Sequence, residues 1–322
     1  MAEPWTVRRL RAWMVEHFTQ RSVESPSLCA DLLLAHVLRC DRMRIYMDAD
    51  RPASPEELSA LRELVRRAGG GEPIQYLVGT WSFFGCEIAV DATTLIPRPS
   101  TETLVELALA GLRARRVLGA SLPKLRIVDL CTGTGCLAIA IARSLRASSA
   151  PRRQLAWNAG PADGAASEES ALDLRVFATD VSTGATALAR RNVSAHGLEG
   201  VIEVLDSDLD AGLIGRGLEG ACDLITANPP YISDVEWSNV PRNVKEFEPA
   251  SALRGGVDGL DLVRRVVSCT RRWLKSEGQL LVEIGFEQGE AARKLASDAA
   301  LADISIAQDL EGHDRVLCAR AP

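Results

Sequence analysis

Four consecutive residues, Asn228-Pro229-Pro230-Tyr231, combine groups that could hold a planar –NH₂ group. Residues 224–227 before them read as a strand, and two prolines must end it because proline has no N–H to donate to a sheet. The Asn228 side-chain carbonyl and the Pro229 backbone carbonyl are two acceptors that suit the two protons of an –NH₂ group. Tyr231 offers a flat apolar face on which a planar group can stack.

An –NH₂ group of this kind is a poor nucleophile because its lone pair is delocalised into a carbonyl or a ring. Fixed acceptors that draw both protons favour a pyramidal nitrogen whose lone pair can attack an electrophile. Methyl transfer from a sulfonium fits, since it needs positioning and a polar preorganised site rather than a strong base. We therefore predict that Asn228, Pro229 and Tyr231 are catalytic and that residues 228–231 bind substrate. An isolated motif of this length is also compatible with a simple rigid strand exit.

A glycine turn between a predicted strand and a predicted helix lies earlier in the chain, in LRIVDLCTGTGCLAIAIA. Two glycines let the backbone turn sharply and approach a ligand where a side chain would collide. The two glycines of this turn are Gly133 and Gly135, and we predict that a ligand approaches the backbone there. Because the glycine spacing also satisfies the dinucleotide fingerprint, this turn alone does not identify the cofactor.

A carboxylate at the end of the next predicted strand indicates a nucleoside cofactor. Asp180 lies 45 residues after Gly135, whereas a ribose-binding acid is expected after about 20. Residues 147–171 are rich in Ala, Ser, Gly and Pro and are predicted to be a mobile surface insertion; without these 25 residues the expected spacing is restored. Asp180 can then accept hydrogen bonds from two ribose hydroxyls. Its alternative role is to cap the next helix, for which Ser182 is also available.

Strands and helices alternate after about residue 120, which predicts an α/β fold with a mostly parallel sheet covered on both faces. Apolar spacings of three and four predict a small helical bundle over roughly the first seventy residues, with helix caps at Thr6 and Ser54. A β-hairpin and a helix near 101–116 connect the two parts. The predicted strands are 125–130, 174–180, 201–205, 223–227, 279–285, 304–309 and 314–319, and the predicted helices are 135–146, 182–196, 259–275 and 287–298. A turn of only a few residues between the last two strands requires an antiparallel pair.

Composition narrows the class of protein. The chain has 322 residues, of which 47% are hydrophobic and 25% charged, as is ordinary for a globular protein of about two domains. Its net charge of −6 argues against a protein that holds nucleic acid mainly through phosphates.

Eight cysteines and four histidines show no metal-binding spacing, so we expect free thiols, no metal site and a cytoplasmic location. No apolar run is long enough for a membrane span, and no membrane partner is expected.

The chain resembles the N5-glutamine methyltransferases that modify peptide chain release factors, the PrmC/HemK family. The resemblance covers nearly the whole chain and rests on EPIQYLVGTWSFFGCEIAVDATTLIPRPSTETLVE, DLCTGTG, ATDVS, NPPYIS, EPASALRGGVDGLD, LLVEIG and DLEGHDRVLCAR. The NPPY motif is shared with amino-methyltransferases that act on DNA. The LIPRPSTE and GGVDGL stretches are more specific.

The resemblance implies a helical N-terminal substrate-recognition domain at 1–72, a β-hairpin linker at 73–100 and a Rossmann-like, seven-stranded class I methyltransferase domain at 101–322. The implied enzyme is an S-adenosylmethionine-dependent protein-(glutamine-N5) methyltransferase, of class EC 2.1.1. Its implied partner is the GGQ-bearing domain of a release factor, whose GGQ glutamine is the substrate. No direct contact with nucleic acid is expected, and a monomer is the working expectation.

Carried onto this sequence, the family pattern assigns a role to each site residue. Residues 131–135 would line the methionine part of S-adenosylmethionine, and Asp180 would hold its ribose. Asp208 and Leu209 would lie near the adenine, where some members place an aromatic residue instead of the leucine. Asn228 would touch both cofactor and glutamine, with Pro229, Pro230 and Tyr231 completing the clamp. Cys131 departs from the family, which commonly has glycine there, and Ser100 replaces the usual aspartate.

Other functions use the same motifs. An adenine N6-methyltransferase of DNA or RNA would bind the exocyclic amine of adenine with the same four residues, Asn228 to Tyr231. The net charge of −6 does not support binding to nucleic acid. A glutamine methyltransferase of a ribosomal protein is a closer alternative. A non-catalytic nucleoside-binding module would not need Asn228 and Tyr231, and NAD binding would leave the NPPY geometry unused.

Overall fold

The computed structural model describes residues 4–117, 124–149 and 172–322. Most of the predicted insertion at 147–171 lies outside these described residues. The described chain forms two compact units. The first contains residues 4–81, Val90–Ala92 and Val240–Pro249; the second contains Ser82–Ala89, Thr93–Asn239 and Ala250–Pro322, less the undescribed residues.

The first unit is helical, as the apolar spacing predicts. Its helices are α1 Val7–Gln20, α2 Pro26–Leu38, α3 Arg42–Met47, α4 Pro55–Gly69, α5 Ile74–Val78 and, from later in the chain, Arg242–Phe247. The predicted caps are confirmed: Thr6 Oγ1 accepts from Arg9 N at 3.3 Å, and Ser54 forms a capping box with Glu57. The core of this unit joins Met14 and Phe18 of α1 to apolar residues of α2 and α4. These helices therefore bury their apolar faces against one another.

The predicted hairpin is also present, with β1 at Thr80–Phe83 and β2 at Cys86–Ala89. Two of its residues, Phe84 and Ala89, form backbone hydrogen bonds within the second unit. Phe84 N donates to Glu102 Oε1 at 2.7 Å, and Ala89 N donates to Asn192 Oδ1 at 2.9 Å. Asn192 is buried and also donates to the Thr134 carbonyl at 2.9 Å, so one side chain links the hairpin to the glycine turn.

Seven strands form the sheet of the second unit: β3 Lys124–Leu130, β4 Asp173–Asp180, β5 Ile202–Asp206, β6 Cys222–Ala227, β7 Leu274–Glu283, β8 Ala302–Gln308 and β9 Asp314–Arg320. Their order is β5-β4-β3-β6-β7-β9-β8, with β9 antiparallel to both of its neighbours and the other pairs parallel. The helices of this unit are α6 Glu102–Val117, α7 Cys136–Ser149, α8 Thr183–Ala195, α10 Asp261–Trp273 and α11 Gly289–Asp298, with α9 being Arg242–Phe247 of the first unit. The predicted Rossmann-like α/β fold is confirmed.

Two parts of the fold differ from the sequence prediction. β7 begins at Leu274, whereas the pattern predicts helix to 275 and a strand only from 279. The register between β6 and β7 shifts near Cys222, and Glu277 has a φ of +62°, so residues 275–278 form an irregular start to the strand. The short helices α3, α5 and α9 were not predicted, because five or six residues are too few to show helical periodicity.

The described part of the chain has no helix that is both long and apolar enough to cross a membrane. All eight cysteines are free thiols, and four of them, Cys29, Cys86, Cys136 and Cys222, are buried. Burial raises the pKa of the Cys29 thiol to about 11. Such a thiol stays protonated near neutral pH and behaves as a small apolar group.

Candidate active site

The predicted site residues lie at the carboxyl ends of β3, β4, β5 and β6. Leu130 at the end of β3 pairs with Thr179 of β4 on one side and with Ala227 of β6 on the other. The chain therefore continues from β3 to β4 on one side of β3 and returns later to form β6 on its other side. Open α/β sheets bind ligands at such a switch point, outside the carboxyl ends of the strands. The glycine turn, Asp180 and Asn228 thus lie at the carboxyl ends of three adjacent strands.

The turn after β3 has the special backbone that the sequence predicts. Gly133 has a φ of +54° and Gly135 a φ of +80°, values that a residue with a Cβ rarely adopts. A Cβ built on Gly133 would meet no atom within 4 Å, so the backbone there borders open space. Cys131 has a φ of +56°. That position therefore carries the strain expected of a non-glycine residue in the left-handed region.

A buried carboxylate, Asp129, fixes this turn from below and was not predicted from the sequence as a site residue. It accepts hydrogen bonds from the Thr132 hydroxyl at 2.5 Å and from the Thr226 hydroxyl at 2.8 Å. Burial raises its pKa to about 6, and the two hydroxyl donors oppose that rise. Asp129 therefore links the glycine turn to Thr226 of β6. Its signal in the sequence is a charged residue inside an otherwise apolar strand, which must have buried partners.

Asp180 ends β4 beside the turn. Its Oδ2 accepts from Gly133 N at 2.9 Å, and its Oδ1 accepts from Ser182 N at 2.9 Å. Each carboxylate oxygen can accept a further hydrogen bond. Burial raises the pKa of Asp180, and the backbone donors oppose that rise. The alternative role as a helix cap belongs to Ser182, whose Oγ accepts from Ala185 N at 3.2 Å.

Asp208 and Leu209 follow the neighbouring strand β5, close to Asp180. Ser207 N donates to the Asp180 carbonyl at 2.9 Å, which places the start of this segment beside the proposed ribose site. Asp208 is exposed and paired with Arg265, whose Nη2 lies 2.8 Å from Oδ1. Leu209 is 5% exposed and packs in the core. The adenine contact of these two residues stays a prediction.

Asn228 follows the last residue of β6, and its side-chain amide is hydrogen-bonded to Thr101. Asn228 Nδ2 donates to Thr101 Oγ1 at 3.2 Å, and the Thr101 side chain is buried. This hydrogen bond uses the nitrogen of the amide and does not involve the carbonyl oxygen Oδ1. The arrangement agrees with the predicted role of Oδ1 as an acceptor. Thr101 belongs to the LIPRPSTE stretch and was not predicted from the sequence as a site residue.

Tyr231 is also anchored by a buried group. Its hydroxyl donates to Glu283 Oε1 at 3.3 Å, and Glu283 is the fully buried last residue of β7. Burial and the neighbouring Glu283 raise the pKa of the Tyr231 hydroxyl, so this hydroxyl remains a donor. The Tyr231 ring is therefore held in place from its hydroxyl end.

The loop EPASALRGGVDGLD supports the backbone of Pro230 and Tyr231. Gly255 N donates to the Ile232 carbonyl at 2.8 Å, and a Cβ on Gly255 would lie 2.7 Å from the Pro230 carbonyl oxygen. A Cβ on Gly259 would collide with the Tyr231 carbonyl oxygen, which instead accepts from Gln288 Nε2 at 2.9 Å. Only glycine lets the two backbones approach this closely. The family-specific glycines thus act by holding the NPPY segment.

The site has the features that S-adenosylmethionine requires. The turn after β3 presents backbone beside open space, and Asp180 retains acceptor capacity for ribose hydroxyls. Asp129, Asp180 and Asp208 are carboxylates near this strand edge, which suits a cationic sulfonium. Among the described residues, no group of His, Cys, Asp and Glu side chains could hold a metal ion.

Comparisons with known proteins identify relatives over nearly the whole chain. The chain is 36% identical over 315 residues to a release factor glutamine methyltransferase of Rhodopirellula baltica, covering 98% of this chain and 96% of that protein. It is 35% identical over 318 residues to a release factor glutamine methyltransferase of Geobacter sulfurreducens, covering 99% and 98%. These similarities extend through both units.

Two further comparisons concern the parts of the chain. Residues 9–79 match the family model described as the PrmC N-terminal domain. The hMettl16 catalytic domain, solved in complex with MAT2A 3′UTR hairpin 1, superposes with a TM-score of 0.50 and 14% identity. It covers 84% of this chain and 83% of that one. At this identity the likeness supports the fold alone.

Proposed function

The chain belongs to the release factor glutamine methyltransferase family, and on that premise we propose that it methylates the N5 amide nitrogen of the GGQ glutamine in peptide chain release factors. The observation that carries this proposal is the hydrogen bond from Asn228 Nδ2 to Thr101 Oγ1. It leaves an amide carbonyl at the end of β6, beside the cofactor turn, to accept a proton from a substrate –NH₂ group.

Asn228 Oδ1 and the Pro229 carbonyl would each accept one proton of the glutamine amide. Because both acceptors are fixed, the amide nitrogen is held with its lone pair directed away from them. Tyr231 would stack on the planar amide, with its ring position set by Glu283. Two preorganised acceptors and one stacking face would orient the nucleophile, and no strong base is needed until the methylated nitrogen gives up its extra proton to solvent.

S-adenosylmethionine supplies an electrophilic methyl group on a sulfonium. We propose that residues Cys131, Thr132, Gly133, Thr134 and Gly135 hold its methionine part through the backbone of the turn. Asp180 would accept hydrogen bonds from the ribose, Asp208 and Leu209 would contact the adenine, and Asn228 would touch the cofactor as well as the substrate. The pKa of the Cys131 thiol is raised by burial and by nearby carboxylates, so this side chain stays neutral and does not compete as a nucleophile.

The first unit offers a surface for the release factor. An apolar cleft of about 500 Å³ in that unit is lined by residues that include Trp13, Leu58 and Val65, with the arginines Arg21, Arg62 and Arg66 also in its wall. Trp13 is 43% exposed. Partly exposed tryptophans and arginines are the residue types that most often dominate binding at protein interfaces. We propose that this cleft contributes to substrate recognition, and that the enzyme acts in the cytoplasm where release factors work.

Mass spectrometry of a release factor incubated with the protein and S-adenosylmethionine tests the proposed function. We expect the tryptic peptide containing GGQ to gain one methyl group on the glutamine side chain. A release factor in which alanine replaces that glutamine is the matched control and should gain none. Methylation of a ribosomal protein instead, or of adenine in added nucleic acid, would overturn the assignment.

A further inference from the structure

Asn192 is a buried polar residue of α8 that the proposed reaction does not use. It lies on the helix Thr183–Ala195 and is 1% exposed. Its Oδ1 accepts from Ala89 N at 2.9 Å, and its Nδ2 donates to the Ala89 carbonyl at 3.0 Å and to the Thr134 carbonyl at 2.9 Å. Burying an amide is costly unless its polar atoms have partners, and both polar atoms of Asn192 have them. One side chain therefore joins the end of β2 to the glycine turn.

The partners of Asn192 fix the orientation of its amide. A backbone N–H can only donate and a backbone carbonyl can only accept, so Oδ1 must face Ala89 N and Nδ2 must face the two carbonyls. If the amide turned over, Nδ2 would face an N–H group and Oδ1 would face two carbonyl oxygens. An aspartate at this position would keep the acceptor and lose both donors.

The glycine turn has a backbone conformation that contacts from outside the turn must select. Gly133 and Gly135 have φ values of +54° and +80°, and glycine has access to many other conformations. Strand β4 holds the first half of the turn. Thr132 N donates to the Thr179 carbonyl at 2.9 Å, and Gly133 N donates to Asp180 Oδ2 at 2.9 Å.

Helix α8 holds the second half of the turn. A Cβ built on Gly135 would stand 3.4 Å from the Cβ of Ala189, so the helix packs directly against the turn. Asn192 lies three residues after Ala189, and residues at this spacing share a helix face. From that face its Nδ2 donates to the Thr134 carbonyl, which fixes the direction of the peptide group between Thr134 and Gly135.

Strand β2 supports Asn192 in this position. Two of the three hydrogen bonds of the amide involve the backbone of Ala89. The same helix and strand are joined a second time, because His196 Nε2 donates to the Glu87 carbonyl at 2.9 Å. These bonds hold the Asn192 side chain where it reaches Thr134.

We infer that Asn192 is a positioning residue that holds the second half of the glycine turn in the conformation that binds S-adenosylmethionine, with the end of β2 as its support. This inference rests on the proposed function, because it concerns the turn that is proposed to hold the methionine part of the cofactor. Asn192 acts through Thr134 and has no contact with the cofactor in this role. The hairpin thus contributes to cofactor affinity through one buried amide.

Loss of the Asn192 amide should weaken cofactor binding while every residue that contacts the cofactor is retained. When the turn samples other conformations, the observed affinity falls with the fraction that remains competent to bind. Calorimetry with S-adenosylhomocysteine, the product of methyl transfer, measures this affinity. We expect Asn192→Ala and Asn192→Asp to raise Kd by roughly 10–100-fold, the range found when a partner that orients a ligand-binding group is removed.

Ser194→Ala is the matched control, because it removes a hydrogen bond from an exposed side chain of the same helix, which joins Ser194 Oγ to Glu199 Oε1 at 2.6 Å. Its Kd should equal that of the wild type. A role confined to folding would reduce the number of binding sites per chain and leave the Kd of the folded fraction unchanged. Wild-type Kd values for both Asn192 variants overturn the inference.

Methylation assays give a second readout for the Asn192 variants. KM for S-adenosylmethionine should rise by the same factor as Kd. KM for the release factor, and kcat at saturating S-adenosylmethionine, should change little, because the residues proposed to hold the glutamine amide are not altered. A fall in kcat with an unchanged KM for S-adenosylmethionine overturns the inference.

Hydrogen exchange in the wild type tests the support from β2 without any substitution. Ala89 N–H donates to Asn192 Oδ1, whereas Phe84 N–H, in the same hairpin, donates to Glu102 Oε1. S-adenosylhomocysteine at about ten times its Kd should slow exchange at Ala89 by up to about tenfold, because a bound ligand opposes every opening that releases it. Exchange at Phe84 should slow less. Equal effects at the two amides overturn the inference, and this comparison decides if neither Asn192 variant folds.

The outcomes also separate this inference from the proposed function. A wild type that binds no S-adenosylhomocysteine overturns both. A wild type that methylates the GGQ glutamine, together with Asn192 variants that bind S-adenosylhomocysteine as tightly as it does, overturns the inference alone. Cofactor binding that depends on Asn192, in a protein that does not methylate GGQ, supports the inference and overturns the proposed function.

Discussion

The side-chain nitrogen of Asn228 donates a hydrogen bond to Thr101 Oγ1, and the side-chain oxygen Oδ1 is not part of that bond. Oδ1 can therefore accept from another group. If that oxygen holds the substrate amide, Asn228→Ala should leave a folded protein that still binds S-adenosylmethionine. Methyl transfer to the GGQ glutamine should fall by roughly 10²–10³, as when one preorganised polar contact is removed from a reacting site. Single-turnover rates give the transfer step, and calorimetry gives cofactor affinity.

Two changes at Tyr231 provide the controls for that measurement. Tyr231→Ala should slow methyl transfer less than Asn228→Ala, and Tyr231→Phe least, because stacking needs only the ring. The rates should be compared above pH 8, because burial raises the pKa of Glu283, the hydrogen-bond partner of Tyr231, to about 7. If Asn228→Ala transfers methyl groups at the wild-type rate, the proposed amide clamp is wrong.

Cys131 shows strain at a single residue, since its φ of +56° lies in the left-handed region. Cys131→Gly should be more stable to urea than Cys131→Ala by about 1 kcal/mol, because both lose the thiol but only glycine relieves the backbone. The comparison of the two variants removes the effect of the lost side-chain packing. Equal unfolding midpoints for the two variants would contradict a strained turn.

Asp129 makes stability depend on pH. Its folded pKa of about 6 lies above the ordinary value of 3.8, so the folded state binds the proton more tightly than the unfolded state. The stabilising contribution of this protonated group is complete below about pH 4 and is lost as the pH rises to about 6. We expect Asp129→Asn to gain roughly 2–3 kcal/mol relative to the wild type over that interval.

Urea unfolding at several pH values measures this difference. Asp50→Asn is the control, because Asp50 is exposed and its pKa is lowered by Arg8 rather than raised. It should show no such gain. A constant difference between Asp129→Asn and the wild type from pH 4 to pH 6 would mean that Asp129 titrates normally.

At the scale of elements, the loop before α10 determines where the NPPY segment lies. A Cβ on Gly255 would stand 2.7 Å from the Pro230 carbonyl oxygen and 2.5 Å from the Gly259 carbonyl oxygen. Gly255→Ala should therefore destabilise the fold by about 1–3 kcal/mol, as overpacking does, and should reduce methyl transfer more than cofactor binding. Thermal unfolding and parallel activity assays measure both effects.

Gly200→Ala is the matched change for that experiment, because a Cβ there would meet no atom within 4 Å. We expect it to leave both stability and activity close to those of the wild type. A Gly255→Ala protein with wild-type stability would show that the loop can shift away from Pro230 without penalty.

Most elements were predictable because their signals are local. The caps at Thr6 and Ser54, the glycine turn and the alternation of strands and helices are all encoded in a few neighbouring residues. Asn228 and Asp180 could be named as site residues because Asn228 follows a recognisable strand and Asp180 ends another. Their agreement with the structure concerns position, while their contacts with cofactor and substrate remain predictions.

The missed residues depend on pairings across the fold. Thr101 precedes Asn228 by 127 positions and Tyr231 precedes Glu283 by 52, so no local spacing indicates either pair. Asp129 is similar, because its partner Thr226 lies on another strand. A charged residue in an apolar strand shows that some buried partner exists. Identifying that partner requires the strand order.

At the scale of the whole molecule, the two units have separable roles in the proposed function. If the apolar cleft of the first unit contacts the release factor, Trp13→Ala should raise KM for the intact factor by roughly tenfold, as for a residue whose truncation costs more than 1 kcal/mol of binding. The kcat at saturation should change little. Steady-state methylation assays with intact factor and with a short GGQ peptide measure both.

The short peptide is the internal control, because it has no surface to occupy the cleft, and its kinetics should be unchanged by Trp13→Ala. Met43→Ala alters another exposed apolar residue of the first unit, 71% exposed and outside the cleft lining. It should leave KM for the intact factor unchanged. Equal KM values for Trp13→Ala and the wild type would remove the cleft from substrate recognition.

The position of β9 between β7 and β8 has a consequence for the order of folding. β8 reaches the sheet only through β9, its sole strand partner among the described residues. β8 and β9 are close in the chain and can form a hairpin in microseconds, whereas the pairing of β7 with β9 closes a longer loop. The hairpin therefore adds to the parallel strands as a preformed pair. Amide hydrogens shared by β8 and β9 should become protected from exchange before those between β7 and β9.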